Sequence, residues 1–182
     1  MATFSIKQLP KTDSSLTRSP NLIELIHATK IHKYINPLEA ERHLSNYPAN
    51  IRLDLHGVLD VIPTDVQLVT NREINKIVCI SFVGGNTREA AVRDIRDRIR
   101  TGQIDYGVLV FARGRGKDRF TFTDEGSKAW VNKYIPSSIP SIFIDDSTDH
   151  LRSTKHLIPD MTCTLFNTGI VQQLLDILKK CD

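Results

Sequence analysis

Short apolar segments that alternate with amphipathic ones are the feature that most constrains how this chain can fold. Each apolar segment is four to eight residues long. Segments of this kind are typical of strands buried on both faces of a sheet. Because helical patterns separate them, they predict βαβ units and an α/β fold with a mostly parallel, five-stranded sheet. The predicted strands are Ile51–Leu55, Lys76–Val83, Tyr106–Ala112, Ser141–Ile144 and Thr162–Phe166.

The segments around these strands have the spacing of amphipathic helices. Apolar residues recur at roughly helical intervals over residues 21–34, which favours a helix there. Pro37 suits a first helical turn, so a short helix is predicted from Pro37 to Leu44. The other predicted helices are Asn86–Thr101, Ser127–Tyr134 and Gly169–Lys180.

Length and charge are those of an ordinary globular chain. The 182 residues fit one α/β domain at residues 51–182, preceded by a flexible polar arm at residues 1–20 and a helical extension at residues 21–50. Its helices, about residues 21–46, are expected to pack on the domain or on a second copy of the chain rather than extend the sheet, which makes a homo-oligomer a candidate assembly. The net charge of +3 is too small to support a nucleic-acid partner.

The sequence shows no targeting or membrane-spanning pattern. The first 20 residues lack the apolar core of a signal peptide. No apolar stretch has the length needed to cross a bilayer. We therefore expect a cytoplasmic protein with no membrane partner.

Polar side chains stand where three of the predicted strands end. Asp54 lies inside an apolar run, where its burial is costly unless a partner or metal compensates it. Ser81 is followed by Gly84 and Gly85, whose backbone amides are candidates for holding an anionic substrate. The pair Asp145–Asp146 follows the fourth strand, and two such acids repel each other unless a cation lies between them. In parallel sheets ligands bind beyond these strand ends, so we expect a functional site here.

In this order, the features resemble the haloacid dehalogenase-like hydrolase superfamily. The resemblance rests on LDLHGVLD at residues 53–60, a strand ending in Ser81, Lys128 near the start of a helix, and FIDDSTDH at residues 143–150. It covers about residues 51–168. It implies a Rossmann-like three-layer sandwich.

The resemblance also implies a role for each of these residues. Asp54 would be the nucleophile that forms an aspartyl-phosphate, and Ser81 would donate a hydrogen bond to the transferring phosphoryl group. Lys128 would neutralise the charge of nucleophile and phosphate. Asp145 and Asp146 would hold Mg²⁺ together with Asp54. The implied activity is Mg²⁺-dependent hydrolysis of a phosphoester.

His56 departs from the superfamily pattern. Phosphatases of the superfamily usually carry Asp at this position as the general acid and base. The position contacts the metal through its backbone carbonyl, which the substitution leaves in place, so His56 stays a candidate metal ligand. Histidine is also a feasible proton donor to a leaving oxygen near neutral pH.

The surroundings of the site are expected to be open. Residues 58–66 have room for a β-hairpin flap but not for a cap domain. Resemblance to capless members suggests a macromolecular phosphoester as substrate, or a partner that closes the site. The basic loop Arg113–Arg119 follows the third strand, and its Arg115 and Lys117 are candidates for contacting phosphate.

Each of these residues also has a structural interpretation. Asp54 can cap a turn, Ser81 can satisfy a buried hydrogen bond, and the acids after the fourth strand can cap the next helix. Lys128 can be a solvated helix lysine, in which case Lys117 is the site lysine. Two functions therefore remain: a Mg²⁺-dependent phosphohydrolase, or a catalytically weak or inactive module that binds a phosphorylated or acidic partner.

Overall fold

A computed structural model describes residues 22–111 and 124–182 of the chain. The strands there are β1 (Leu22–Ile26), β2 (Ile31–Tyr34), β3 (Ile51–Leu53), β4 (Ile77–Phe82), β5 (Tyr106–Phe111), β6 (Ile142–Asp145) and β7 (Thr162–Leu165). The helices are α1 (Pro37–Leu44), α2 (Arg88–Arg100), α3 (Asp124–Tyr134), α4 (Thr148–Leu157) and α5 (Val171–Lys179). All seven strands join one sheet in the order β2-β1-β5-β4-β3-β6-β7.

The alternation of strands and helices is confirmed from β4 onward, whereas a 3₁₀ turn and loops join β3 to β4. Strands β5, β4, β3, β6 and β7 are neighbours in the sheet and run parallel. Their positions match the five predicted apolar runs, although the residues of β7, at the edge of the sheet, are half-buried or exposed. The α/β class and the mostly parallel sheet are therefore confirmed.

The predicted helix at residues 21–34 is wrong, and so is the count of five strands. This segment is an antiparallel hairpin in which β1 pairs with both β2 and β5. The backbone N–H of His27 donates to the carbonyl oxygen of Lys30 at 2.9 Å and closes the turn. The side chains of Ile23, Leu25 and Ile26 are buried, and isoleucine favours strands because its branched Cβ restricts χ1 in a helix.

This hairpin extends the sheet, although no strand was predicted before residue 51. Without β1, strand β5 would be an edge with unpaired backbone groups. Only the α1 part of the predicted helical extension is confirmed, with Asn36 accepting a hydrogen bond from the N–H of Leu38 and Pro37 in the first turn. The expectation that residues 21–46 pack beside the sheet without joining it is therefore wrong.

Helices cover both faces of the sheet. On one face, Ile95 of α2 and Leu174 of α5 pack in a cluster that includes Cys79. On the other face, Trp130 of α3 packs in a cluster that includes Val78. Because adjacent residues of β4 enter opposite clusters, the strand is buried on both sides, as the continuous apolar run predicted.

The predicted β-hairpin flap at residues 58–66 is wrong. A short 3₁₀ turn, Leu59–Val61, occupies this segment, and no strand is present there. Val58 and Leu59 are fully buried, so these apolar residues anchor the segment to the core. Within the described ranges, no helix has both the length and the apolar character required to cross a membrane.

Candidate active site

The carboxyl ends of β3 and β6 bring two aspartates together. Strands β3 and β6 are adjacent and parallel. Asp54 follows β3 directly, and its backbone N–H donates to the carbonyl oxygen of Ile144 at 2.9 Å. Asp145 is the last residue of β6. Both carboxylates are buried, with exposed fractions of 5 % for Asp54 and 0 % for Asp145.

Lys128 bridges these two carboxylates from α3. Its Nζ donates to Oδ1 of Asp54 and to Oδ2 of Asp145, at 2.7 Å in each case. Lys128 is itself 1 % exposed, so the interpretation as a solvated helix lysine is wrong. The competitor Lys117 and the rest of Arg113–Arg119, including Arg115, lie outside the described residues.

Burial and mutual charge shift the pKa of all three groups. Burial raises the pKa of Asp54 to about 7, although Lys128 opposes the rise, and Asp145 adds to it. Burial also works against the charged forms of Lys128 and Asp145. The two carboxylates nevertheless raise the pKa of Lys128, and the hydrogen bond from His150 together with the charge of Lys128 lowers the pKa of Asp145. These shifts favour the charged forms of Lys128 and Asp145, whereas the pKa of Asp54 lies near neutral pH.

Asp146 completes a carboxylate cluster, by which we mean Asp54, Asp145 and Asp146. One carboxylate oxygen from each lies within 4.8 Å of the others. Asp146 is exposed, and its pKa is raised by partial burial and by hydrogen bonding to Asp145. Three oxygen ligands around one point fit a hard divalent cation, without being specific for Mg²⁺.

Gly57 lets the loop after Asp54 approach Asp146. Its φ is +81°, and a Cβ built there would lie 2.2 Å from Oδ2 of Asp146. Its N–H donates to Oδ1 of Asp60 at 2.8 Å. Only glycine fits both the positive φ and the space beside Asp146.

His56 lies at the exposed rim of the site. Its side chain is 57 % exposed, and Nδ1 lies 3.8 Å from Oδ2 of Asp60. Within residues 22–111 and 124–182, no hydrogen bond joins its ring to the carboxylate cluster. The ring of His56 therefore faces solvent.

Ser81 and the glycines after it are less directly connected to the cluster. Ser81 is fully buried in β4, and its Oγ has no hydrogen-bond partner among the described residues. The interpretation as a satisfied buried hydroxyl therefore has no support. The N–H of Gly84 donates to Oγ1 of Thr87 at 3.2 Å, and Gly85 has open space at its Cβ position.

His150 is the residue that the sequence analysis missed. Its Nδ1 lies 3.1 Å from Oδ2 of Asp145, and the backbone N–H of Ser147 donates to Oδ1 of the same carboxylate at 2.9 Å. Ser147 also caps α4 by accepting from the N–H of His150. The helix start therefore places His150 beside Asp145. The only sequence signal was its position at the end of FIDDSTDH, five residues after Asp145.

Comparison of the chain with known proteins found no matching protein-family model, no matching curated protein and no matching solved structure.

Proposed function

We propose that this chain is a capless, Rossmann-like phosphohydrolase of the haloacid dehalogenase type, dependent on Mg²⁺. The observation that carries the proposal is the contact of Lys128 with both Asp54 and Asp145 at adjacent parallel strand ends. The ammonium of a buried lysine offsets the negative charge of both carboxylates, and it is close enough to Asp54 to offset the charge of a phosphate bound there. Asp146 lies within reach of the same point.

In this reaction a carboxylate oxygen of Asp54 attacks phosphorus, and the bond from phosphorus to the leaving oxygen breaks. The leaving oxygen takes up a proton, and the phosphoryl group remains on Asp54 as an acyl phosphate. Water then attacks phosphorus, which releases phosphate and regenerates the carboxylate. Lys128 stays beside Asp54 throughout and offsets the negative charge of the phosphoryl oxygens.

The residues that would bind the cation define its part in this proposal. Asp54, Asp145 and Asp146 would hold Mg²⁺, which would supply the additional positive charge that a phosphate dianion needs beside carboxylates. The interaction of Asp145 with His150 and with the N–H of Ser147 fixes its carboxylate in place. Preoriented ligands of this kind favour binding.

His56 would donate the proton to the leaving oxygen. Its exposure at the rim supports this role because it leaves room for a bulky leaving group, and an imidazole can donate a proton near neutral pH. An open rim also suits a phosphate monoester on a large molecule.

The test is hydrolysis of p-nitrophenyl phosphate by the full chain, with Mg²⁺ and with EDTA. We expect Mg²⁺-dependent release of p-nitrophenol that Asp54→Asn abolishes. Asp97→Asn is the control, since it makes the same chemical change on the exposed surface of α2. Activity in EDTA, or equal activity in Asp54→Asn, would exclude this function.

A second candidate is a binding module that has lost turnover. The observation that favours it is His56 at the position of the usual general acid, without a hydrogen bond to the cluster in the described residues. This function predicts Mg²⁺ binding by calorimetry that Asp145→Asn weakens, together with no hydrolysis of aryl or alkyl phosphates. Turnover that Asp54→Asn removes would exclude the binding module.

A further inference from the structure

Arg52 is a buried cation outside the carboxylate cluster. It lies in β3, two residues before Asp54, and is 2 % exposed. Its Nε donates to the carbonyl oxygen of Ala49 at 3.1 Å, and Nη2 donates to that of Ile135 at 2.7 Å. Its Nη1 donates to both the carbonyl oxygen and Oδ1 of Asn132. Four hydrogen bonds therefore hold the guanidinium in place.

All of these acceptors are neutral. No carboxylate within the described ranges accepts a hydrogen bond from Arg52, although arginine is almost never fully buried unless it is paired. The carbonyl oxygens at the end of α3 offset part of the charge through the helix dipole. An arginine has five N–H donors, so one hydrogen of Nη2 remains without an acceptor in the described part of the chain.

A cavity of about 270 Å³ lies against this guanidinium. It is smaller than the range of roughly 300–1,000 Å³ that holds drug-sized ligands, so it suits a small one. Its polar and charged wall residues are Arg52, Asn132, Lys133, Ser137, Ser141 and Asp160. Two cations against one acid give the wall a net positive charge.

Asn132 supplies a second donor without an acceptor. It is 1 % exposed, and its Nδ2 has no hydrogen-bond partner among the described residues. Its Oδ1 accepts from Nη1 of Arg52 at 3.3 Å. Turning the amide over would set its NH₂ against the guanidinium, so the contact with Arg52 fixes Nδ2 as the unused end.

We propose that this cavity binds a small oxyanion, such as inorganic phosphate or sulfate, through Arg52 and Asn132. The anion would supply the counter-charge that the described residues do not provide, and it would accept hydrogen bonds from donors that otherwise have no acceptor. This site is separate from the proposed function. Asn132 stands one helical turn beyond Lys128 on α3, towards the amino ends of the strands.

The test is calorimetric titration of the full chain with sodium phosphate in EDTA. The informative variant is Ser141→Asp, which places a carboxylate in the cavity wall. Its matched control is Ser138→Asp, since Ser138 is exposed and is not part of that wall. We expect saturable binding in the wild type, a loss of at least about tenfold in Ser141→Asp, and no change in Ser138→Asp.

Asp54→Asn distinguishes this cavity from the candidate active site. Phosphate at Arg52 should bind Asp54→Asn and the wild type equally, whatever the catalytic activity of the chain. Binding that changes in Asp54→Asn but not in Ser141→Asp would place the anion at the carboxylate cluster and overturn the proposal. Absence of saturable binding in the wild type would also overturn it.

Discussion

Lys128 determines the charge balance of the candidate site. Its ammonium lies 2.7 Å from each of two buried carboxylates, so the two carboxylates share one positive charge. His150 contributes a further interaction to Asp145. This asymmetry accounts for the opposite pKa shifts of the two acids, since Asp145 has the additional hydrogen bond that Asp54 lacks.

Replacing Lys128 tests this balance through stability. Lys128→Met leaves two buried carboxylates without their cation, and we expect the free energy of unfolding to fall by about 3–5 kcal/mol. Adding Asp54→Asn to Lys128→Met should recover part of that loss, because one of the unpaired charges is removed. Urea unfolding at pH 7 measures both variants. Equal stability of Lys128→Met and the wild type would contradict the buried bridge.

Gly57 offers a second test at the same scale. Gly57→Ala adds a Cβ that meets Asp146, and it also strains a backbone with φ of +81°. Gly102→Ala is the control, because Gly102 has a similar φ of +77° and nothing within 4 Å of its Cβ position. We expect both to lose about 1–2 kcal/mol from backbone strain, and Gly57→Ala to lose more. Urea unfolding compares the two, and a smaller loss in Gly57→Ala would count against the close approach to Asp146.

Among the secondary-structure elements, the N-terminal hairpin is where sequence patterns were least informative. The apolar residues of β1 stand at spacings that suit a helix as well as a strand, and what decides between them is the neighbouring edge of β5. That edge is a tertiary feature that no local pattern contains. The helix α1 was predicted to the residue because its signal, Pro37 in the first turn, acts locally.

The turn of this hairpin makes stability depend on pH. Burial lowers the pKa of His27, and the nearby charges of His32 and Lys30 lower it further. The rings of Tyr47 and Tyr106 also face His27. The unfolded chain therefore binds a proton more readily than the folded one, so stability should be complete above the ordinary pKa of 6.5 and should be lost as pH falls through the lowered pKa of His27.

Urea midpoints between pH 5 and 8 measure this effect. His27→Gln should flatten the decline on the acid side, since glutamine does not titrate. His156→Gln, in the last turn of α4, is the control and should keep the wild-type slope. An unchanged slope in His27→Gln would show that the buried imidazole is not the source.

For the molecule as a whole, the sequence predicted the acids and the lysine of the site but not how they are supported. Asp54 and Asp145 could be named because parallel strand ends meet at one edge, and Lys128 was named through the family resemblance. The structure brings all three together. His150 could not be named, because its place depends on how α4 leaves β6. The site role of Ser81 stays a prediction.

The extent of the sheet gives a prediction at this scale. Removing residues 1–35 would leave β5 as an edge whose backbone groups and buried side chains face water. We expect the truncated chain to form aggregates that elute ahead of the intact protein in size-exclusion chromatography. A truncated monomer with the urea midpoint of the full chain would show that the hairpin is dispensable.

Because one ammonium offsets the charge of two carboxylates, we expect substitutions at these three positions to be coupled in evolution. A lineage that loses Lys128 first carries two buried like charges, and one that loses Asp145 first leaves His150 and Lys128 without their shared acceptor. Each single step is expected to lower the free energy of unfolding, whatever its effect on activity. Descendants of this sequence should therefore keep Asp54, Lys128 and Asp145 as a set or replace them in quick succession.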